Sequence, residues 1–253
     1  MECRTTDAFS LAGKRILVTG ASSGIGRATA IAAAELGAQV VLTARRAEAL
    51  EETRRLCPGE GHLVVPGDLS DSAFLPELVA QAAPLDGLAH VAGVSPIEPV
   101  TVFDARRAEA AMRVNCLVFV ELMKLLARPA FRAPAFAAVA VSSVSAVVGW
   151  PGGAVYCAAK GALSASVRAL AAELAPRGIR VNAVCPSNIR TPMFDAGAGR
   201  MDDAASRAAL LRRQPLGIGR PEQVARPICF LLSEAAAFVT GVNLPVDGGY
   251  LAQ

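Results

Sequence analysis

Short apolar runs alternate along the chain with longer stretches in which apolar residues recur every three or four positions. The runs RILVT (15–19), QVVLTA (39–44), HLVVPG (62–67), GLAHVA (87–92), AFAAVAVS (135–142), RVNAVC (180–185) and VNLPV (242–246) read as seven strands. Between them the helical period predicts helices at 25–36, 47–56, 72–83, 104–127, 154–174 and 221–233, several opening on an N-cap-like residue or a proline. Strand, crossover helix and strand, repeated, form a parallel sheet with helices on both faces. The pattern therefore predicts an α/β protein, a single-domain Rossmann fold over residues 1–253 with a doubly wound, mostly parallel seven-stranded sheet. The rhythm breaks at 191–219, TPMFDAGAGRMDDAASRAALLRRQPLGIG, where glycine, proline and charge interrupt a short amphipathic helix. This stretch reads as a flexible flap over a site.

Composition narrows the function classes. With 53% hydrophobic and 19% charged residues, the chain suits a compact protein with an extensive core. A formal net charge of +3, with no basic run interleaved by aromatics, argues against a nucleic-acid partner. The opening MECRTTDAFS lacks the apolar core of a secretion signal, and no apolar stretch approaches a membrane span. The expectation is a cytoplasmic protein with no membrane partner. The six cysteines (3, 57, 116, 157, 185 and 229) form no CxxC pair, and His62 and His90 stand apart, so no metal site is expected and the thiols read as buried.

The first predicted strand runs directly into TGASSGIG (19–26) and then a helix. Glycine removes the Cβ that would block close approach, and the free N–H groups of a helix start point at a phosphate. Gly20, Gly24 and Gly26 in a GxxxGxG spacing, with Ser22, Ser23 and Ile25, thus predict a dinucleotide cradle, beyond what a tight turn alone requires. After the second strand, where an NAD site wants a carboxylate for the ribose, the chain has Ala44, Arg45 and Arg46. Arginine suits a 2′-phosphate, so NADP(H) is favoured over NAD(H), although two solvated arginines opening a helix would look the same. Asp68 and Leu69, in GDLSD, follow the third strand where a carboxylate can meet an adenine amino group; a helix N-cap is the other reading, for Asp71 above all.

Tyr156 and Lys160 are four apart on a predicted helix, hence on one face. A nearby ammonium favours phenolate and lowers the tyrosine pKa, and such a tyrosine can exchange a proton with a carbonyl oxygen. A half-buried tyrosine beside a snorkelling lysine fits the pair as well. Ser143, at the end of the fifth strand, lies thirteen residues before Tyr156 and can converge on the same carbonyl.

These motifs together resemble the short-chain dehydrogenase/reductase family, from Leu11 nearly to the C-terminus. The likeness rests on TGASSGIG, GDL, the AG at 92–93, Asn115 in RVNC, Ser143, YCAAK, RVNAVCP, TPM at 191–193 and GVNLPVDGGY. It implies that Tyr156 is the general acid, that Lys160 lowers its pKa and binds the nicotinamide ribose, and that Ser143 holds the substrate carbonyl. It implies too that Asn115 positions a water leading from Lys160 to solvent, whereas a helix-interior asparagine bonded to backbone is the plainer reading. Ala92 and Gly93 would flank the nicotinamide on one side, with Pro186, Ile189 and Thr191 on the other. Ser95, Ser145, Val148, Trp150 and Met193 would line the substrate end. The chain departs from the family pattern in having HVAG where NNAG is usual, so His90 reads as a structural substitute, and PS where PG is usual, so Ser187 puts the local loop conformation in question.

The leading expectation is NADPH-dependent reduction of a ketone to a secondary alcohol, with a likeness to 3-oxoacyl-[acyl-carrier-protein] reductases that points to a 3-oxoacyl thioester. Arginines 128, 132, 200, 207, 212 and 213 could meet an acidic acyl carrier protein, or serve only solubility. A secondary-alcohol, sugar or steroid dehydrogenase would use the same catalytic set. A non-catalytic NADP-binding sensor is a third reading, against which the complete Tyr156, Lys160 and Ser143 set argues. The resemblance also implies a homotetramer joined through the helices starting at 104 and 154 and the last strand.

Overall fold

The computed structural model describes residues 6–196 and 204–252. Its sheet has seven strands in the order β3-β2-β1-β4-β5-β6-β7, each pairing parallel with its neighbours. The strands are β1 (Arg15–Thr19), β2 (Gln39–Thr43), β3 (Leu63–Val64), β4 (Leu85–His90), β5 (Arg132–Val141), β6 (Ile179–Pro186) and β7 (Asn243–Val246). The winding reverses between β1 and β4, and at such a switch point the carboxyl ends of the strands open a crevice.

Two cores fill the two faces. On one, α1 (Gly24–Glu35) packs against α9 (Pro221–Leu232), with buried Ala30, Ala33 and Ala34 allowing close approach to Val224 and Ile228. On the other, Leu78 and Val79 of α3 (Phe74–Ala82), Phe119 and Leu122 of α5 (Val118–Leu126) and Leu163 and Val167 of α6 (Ala154–Leu174) cover the sheet. The predicted helices at 47–56 and 154–174 coincide with α2 (Ala47–Leu56) and α6.

Three differences have local causes. The single helix expected at 104–127 is α4 (Ala105–Met112), a π turn (Arg113–Leu117) and α5, with buried Asn115 inside the turn. The fourth strand stops at His90 rather than continuing to 92, because the Val91 and Ala92 N–H groups donate to Thr19 Oγ1 at 3.1 Å each. The third strand, at the sheet edge, pairs with β2 alone and shrinks to two residues, although the Val65 and Gly67 N–H groups beyond it still donate to Leu42 O and Ala44 O at 2.9 and 3.0 Å. Of the expected flap at 191–219, residues 197–203 lie outside the described residues, and α7 (Pro192–Ala196) and α8 (Ala204–Arg213) stand on either side of them. Among the described residues no helix is long and apolar enough to cross a membrane.

Candidate active site

One crevice of about 960 Å³ runs along the carboxyl edge of the sheet and brings together every predicted site residue except Val148. Arg45, Arg46, Asp68 and Leu69 line it beside the glycine loop, and the nicotinamide-flanking candidates Ala92, Gly93, Pro186, Ile189 and Thr191 line it too. Ser95, Ser145, Trp150 and Met193 line it alongside Tyr156. Val148 instead offers its carbonyl to the Cys157 thiol at 3.5 Å.

The loop after β1 is built for close approach. Gly20 and Gly24 have φ of 67° and 53°, and a Cβ on Gly26 would lie 2.1 Å from the Gly20 carbonyl oxygen. Ser23, the N-cap of α1, is extended and makes no side-chain cap bond, so the first turn keeps N–H groups for an anion. Arg27 locks the loop from outside, donating to Ser22 O at 2.9 Å and to Thr53 Oγ1 at 3.0 Å, while Thr53 donates to Ala21 O at 2.9 Å. A Cβ on Gly24 would come within 3.3 Å of Thr191, so this loop and the segment after β6 form a narrow slot. The slot, the free helix start and two exposed arginines at the end of β2 fit a phosphorylated dinucleotide. Asp68 is exposed, with Oδ1 accepting from Ser70 N at 2.9 Å and Ser70 Oγ at 2.8 Å, and these bonds hold its carboxyl below the usual range. It both closes the turn and faces the crevice.

The reactive set meets beyond the glycine loop. Ser143 follows β5 directly, its Oγ accepting from Ser145 N at 3.1 Å. Tyr156 stands in the first turn of α6, and Lys160 Nζ lies 5.8 Å from its ring centroid. The expected lowering of the Tyr156 pKa by Lys160 is not what this geometry gives. Burial pushes the phenol up, the Ser143 hydrogen bond opposes that, and the Lys160 ammonium is engaged at 2.8 Å by the Val141 carbonyl. A raised pKa keeps the phenol protonated, which suits an acid. Asn115 donates to Val94 O at 2.9 Å and accepts from Val94 N at 3.1 Å, so its amide ties the loop after β4 to the π turn. A Cβ on Gly93 would sit 2.8 Å from Asn115 Oδ1 and 3.4 Å from Lys160 Nζ, so only glycine fits between them.

Lys160 is buried, and burial pushes it down to about 8 while Cys185 and Cys116 act against the shift. Its other titratable neighbour is His90, neutral and pushed down to about 3 by burial and by Lys160 itself. A lysine lowered to about 8 from 10.5 releases its proton earlier when folded, so between those values the unfolded chain binds more protons and stability rises with pH. Below pH 8 the buried charge costs on the order of 3 kcal/mol. Lys160→Met will therefore be more stable than the parent at pH 7, with the gap narrowing toward pH 10.5. Urea unfolding of both proteins across that range measures it. Burial raises Cys57 to about 11 and Cys229 to about 12, which weakens both proteins equally above pH 9 and cancels in the difference.

Comparison with known proteins agrees with this architecture. A family model described as enoyl-(acyl carrier protein) reductase matches residues 20–251. L-xylulose reductase of Mus musculus is 38% identical over 246 residues, covering 96% of this chain and 99% of that protein. The chain belongs to the short-chain dehydrogenase/reductase family. It is accordingly an oxidoreductase acting on CH–OH and C=O groups. D-erythrulose reductase of Gallus gallus is 36% identical over 245 residues, 96% of this chain and 98% of that one. A solved Agrobacterium tumefaciens structure with bound NADP superposes with a TM-score of 0.87 at 31% identity, covering 98% of this chain and all of that chain.

Both departures from the short-chain dehydrogenase/reductase pattern have a structural account. Buried His90 pairs with Thr19 in the β1–β4 register, its Nδ1 lying 3.1 Å from Thr19 Oγ1. Thr19 Oγ1, accepting from Val91 and Ala92, gives its own hydrogen to His90, which makes the histidine a clamp on the crevice wall. Ser187 needs no positive φ, since no described non-glycine residue has one, and its Oγ donates to Asp247 O at 2.8 Å. Several supporting residues escaped the sequence reading. Ser142 donates to Lys160 O at 3.1 Å and meets Ser164 Oγ at 2.7 Å, fixing α6 to the end of β5. Buried Gln214 bonds Asn188 N, O and Nδ2, which steadies the wall after β6. Thr53, which braces the glycine loop through Ala21 O, also escaped that reading although it carried a visible signal: it shares the buried face of Leu50 and Cys57.

Proposed function

We propose that this protein is an NADPH-dependent reductase of small, neutral, sugar-like ketones, running in reverse as a secondary-alcohol dehydrogenase. The observation that carries the reading is the convergence of Ser143, Tyr156 and Lys160 on the crevice that also holds the glycine loop and Arg45 and Arg46. A bound nicotinamide would supply or accept the hydride. Tyr156 hands its proton to the carbonyl oxygen, and Ser143 donates a hydrogen bond to that same oxygen. Lys160, its ammonium held on the Val141 carbonyl below the tyrosine, would bind the ribose of the nicotinamide. Asn115 keeps the Gly93–Val94 backbone in register with this group.

The relatives named for L-xylulose and D-erythrulose support a sugar ketone over the 3-oxoacyl thioester expected from the sequence. The carrier-protein face loses support as well. Arg132 is buried, donating to the carbonyls of Ala133, Pro134 and Arg177 at 2.8, 2.8 and 3.0 Å. Arg213 lies 5.1 Å over the Tyr250 ring, while Arg200 and the Arg207 side chain lie outside the described residues. The five described cysteines, all free, support a reducing cytoplasmic setting. Exposed Leu117 and Phe238, on the π turn after α4 and ahead of β7, support the homotetramer.

The test is steady-state reduction of neutral ketoses, with 3-oxoacyl thioesters for comparison, using NADPH and NADH. Ketoses will be turned over with NADPH preferred. Arg45→Ala will weaken NADPH binding about tenfold and leave NADH within about twofold, since a 2′-phosphate contact is a charge-assisted one. Equal losses for the two cofactors would return Arg45 to the role of a solvated surface charge.

A further inference from the structure

The catalytic serine is followed by a second one on the same short turn. Ser143, Val144 and Ser145 open a single 3₁₀ turn (Val144–Ala146), with Ser145 N donating to Ser143 Oγ. Ser145 is buried yet lines the crevice. Its Oγ accepts from the Trp150 indole N–H at 3.1 Å, and no acceptor among the described residues takes the Ser145 hydroxyl hydrogen. The bond from the indole therefore leaves a fixed hydroxyl donor beside the one that Ser143 offers.

Trp150 is itself held in place. A Cβ on Gly153 would fall 2.5 Å from the indole, so glycine at the N-cap of α6 lets the ring lie against the helix start. The ring centroid is 6.3 Å from that of Tyr156, at 52° between planes. An indole face beside the proton donor can take the C–H face of a short carbon chain. The only charged groups among the described crevice residues are Arg45, Arg46 and Asp68, near the glycine loop, and Lys160 below Tyr156.

We infer that Ser145 and Trp150 form a recognition subsite for an oxygen on the carbon next to the reacting carbonyl, which makes the preferred substrates neutral α-hydroxyketones. The inference rests on the ketone-reductase reading. With the carbonyl oxygen between Tyr156 and Ser143, the neighbouring hydroxyl accepts from Ser145, and Trp150 packs on the carbons between. A site that hydrogen-bonds a substrate hydroxyl discriminates strongly against the analogue lacking it.

The test compares 3-hydroxy-2-butanone with 2-butanone, both with NADPH, in the parent protein, Ser145→Ala and Trp150→Phe. The parent will favour the hydroxyketone by at least about tenfold in kcat/KM. Ser145→Ala will remove most of that preference, its loss on the hydroxyketone exceeding its loss on 2-butanone by about tenfold, as expected for loss of one substrate hydrogen bond. Trp150→Phe, which keeps a ring but loses the indole N–H, will fall between the two. NADPH affinity, measured by fluorescence titration, will be unchanged in both variants. Equal losses on the two ketones, or a parent with no preference, would overturn the subsite while leaving the reductase reading intact. Turnover of neither ketone by the parent would remove the reductase reading and the subsite with it.

Discussion

Tyr156→Phe will lower kcat for ketone reduction by about a thousandfold and leave the Kd for NADPH within about twofold, because a positioned general acid contributes 10² to 10⁴. The substitution keeps the ring that packs against Trp150 at 6.3 Å and under which Lys160 sits at 5.8 Å, and it removes one oxygen. Ser143 acts on that oxygen, opposing the upward push of burial on the phenol. Loss should appear equally in kcat and kcat/KM, the pattern of an interaction made in the transition state rather than in binding. Burial raises the Tyr156 pKa, so in the parent the phenol stays protonated and reduction has its acid across the neutral range. The reverse oxidation needs phenolate, and its rate in the parent will climb as pH rises. Stopped-flow reduction and fluorescence titration of NADPH separate the two effects. Turnover within tenfold of the parent would take the acid role away from Tyr156.

The parts of this site that were legible in the sequence are those that depend on local spacing. Tyr156 and Lys160 share a helix face by period alone, and three glycines between a strand and a helix announce a cradle wherever they occur. The strands were legible because both faces of a parallel sheet are buried, leaving near-continuous apolar runs. Long-range partners were not legible. Nothing near Lys160 in the chain says that the Val141 carbonyl will engage its ammonium, and nothing near Tyr156 says that burial will push its phenol up rather than down. The same holds for Arg132, which reads as a surface charge but opens β5 with its guanidinium on three backbone carbonyls. The π turn at Asn115 was hidden for a related reason. Its apolar period passes for one continuous helix, and what distinguishes it is the pair of bonds to Val94 from another segment. Local rules thus located the chemistry, and tertiary contacts set its electrostatics.

Gly26→Ala will raise the Kd for NADPH by at least about a hundredfold, and the reason is a competition whose winner the distances decide. In a helix, alanine is favoured over glycine by about 1 kcal/mol, and Gly26 is the third residue of α1 with an ordinary φ. Propensity alone would make the variant more stable. The new Cβ, however, would lie 2.1 Å from Gly20 O, 2.6 Å from Gly20 C and 3.1 Å from Ala21 N. All three are backbone atoms, and they cannot rotate away as a side chain does. Ala21 is fixed further, its N–H on Thr43 O and its carbonyl on Thr53. The strain of forcing such a contact apart is about 1 to 3 kcal/mol, enough to cancel the propensity gain and open the loop. Opening it moves the helix start away from the phosphates it must meet, so binding falls further than stability does. Gly13→Ala is the control: its φ of 75° is strained for alanine, yet its Cβ meets nothing within 4 Å. That variant will lose about 1 to 2 kcal/mol of stability, the cost of a left-handed alanine, and keep its NADPH affinity. If Gly26→Ala instead binds NADPH within about threefold of the parent, the loop is only a turn, and the phosphates must be held elsewhere in the crevice.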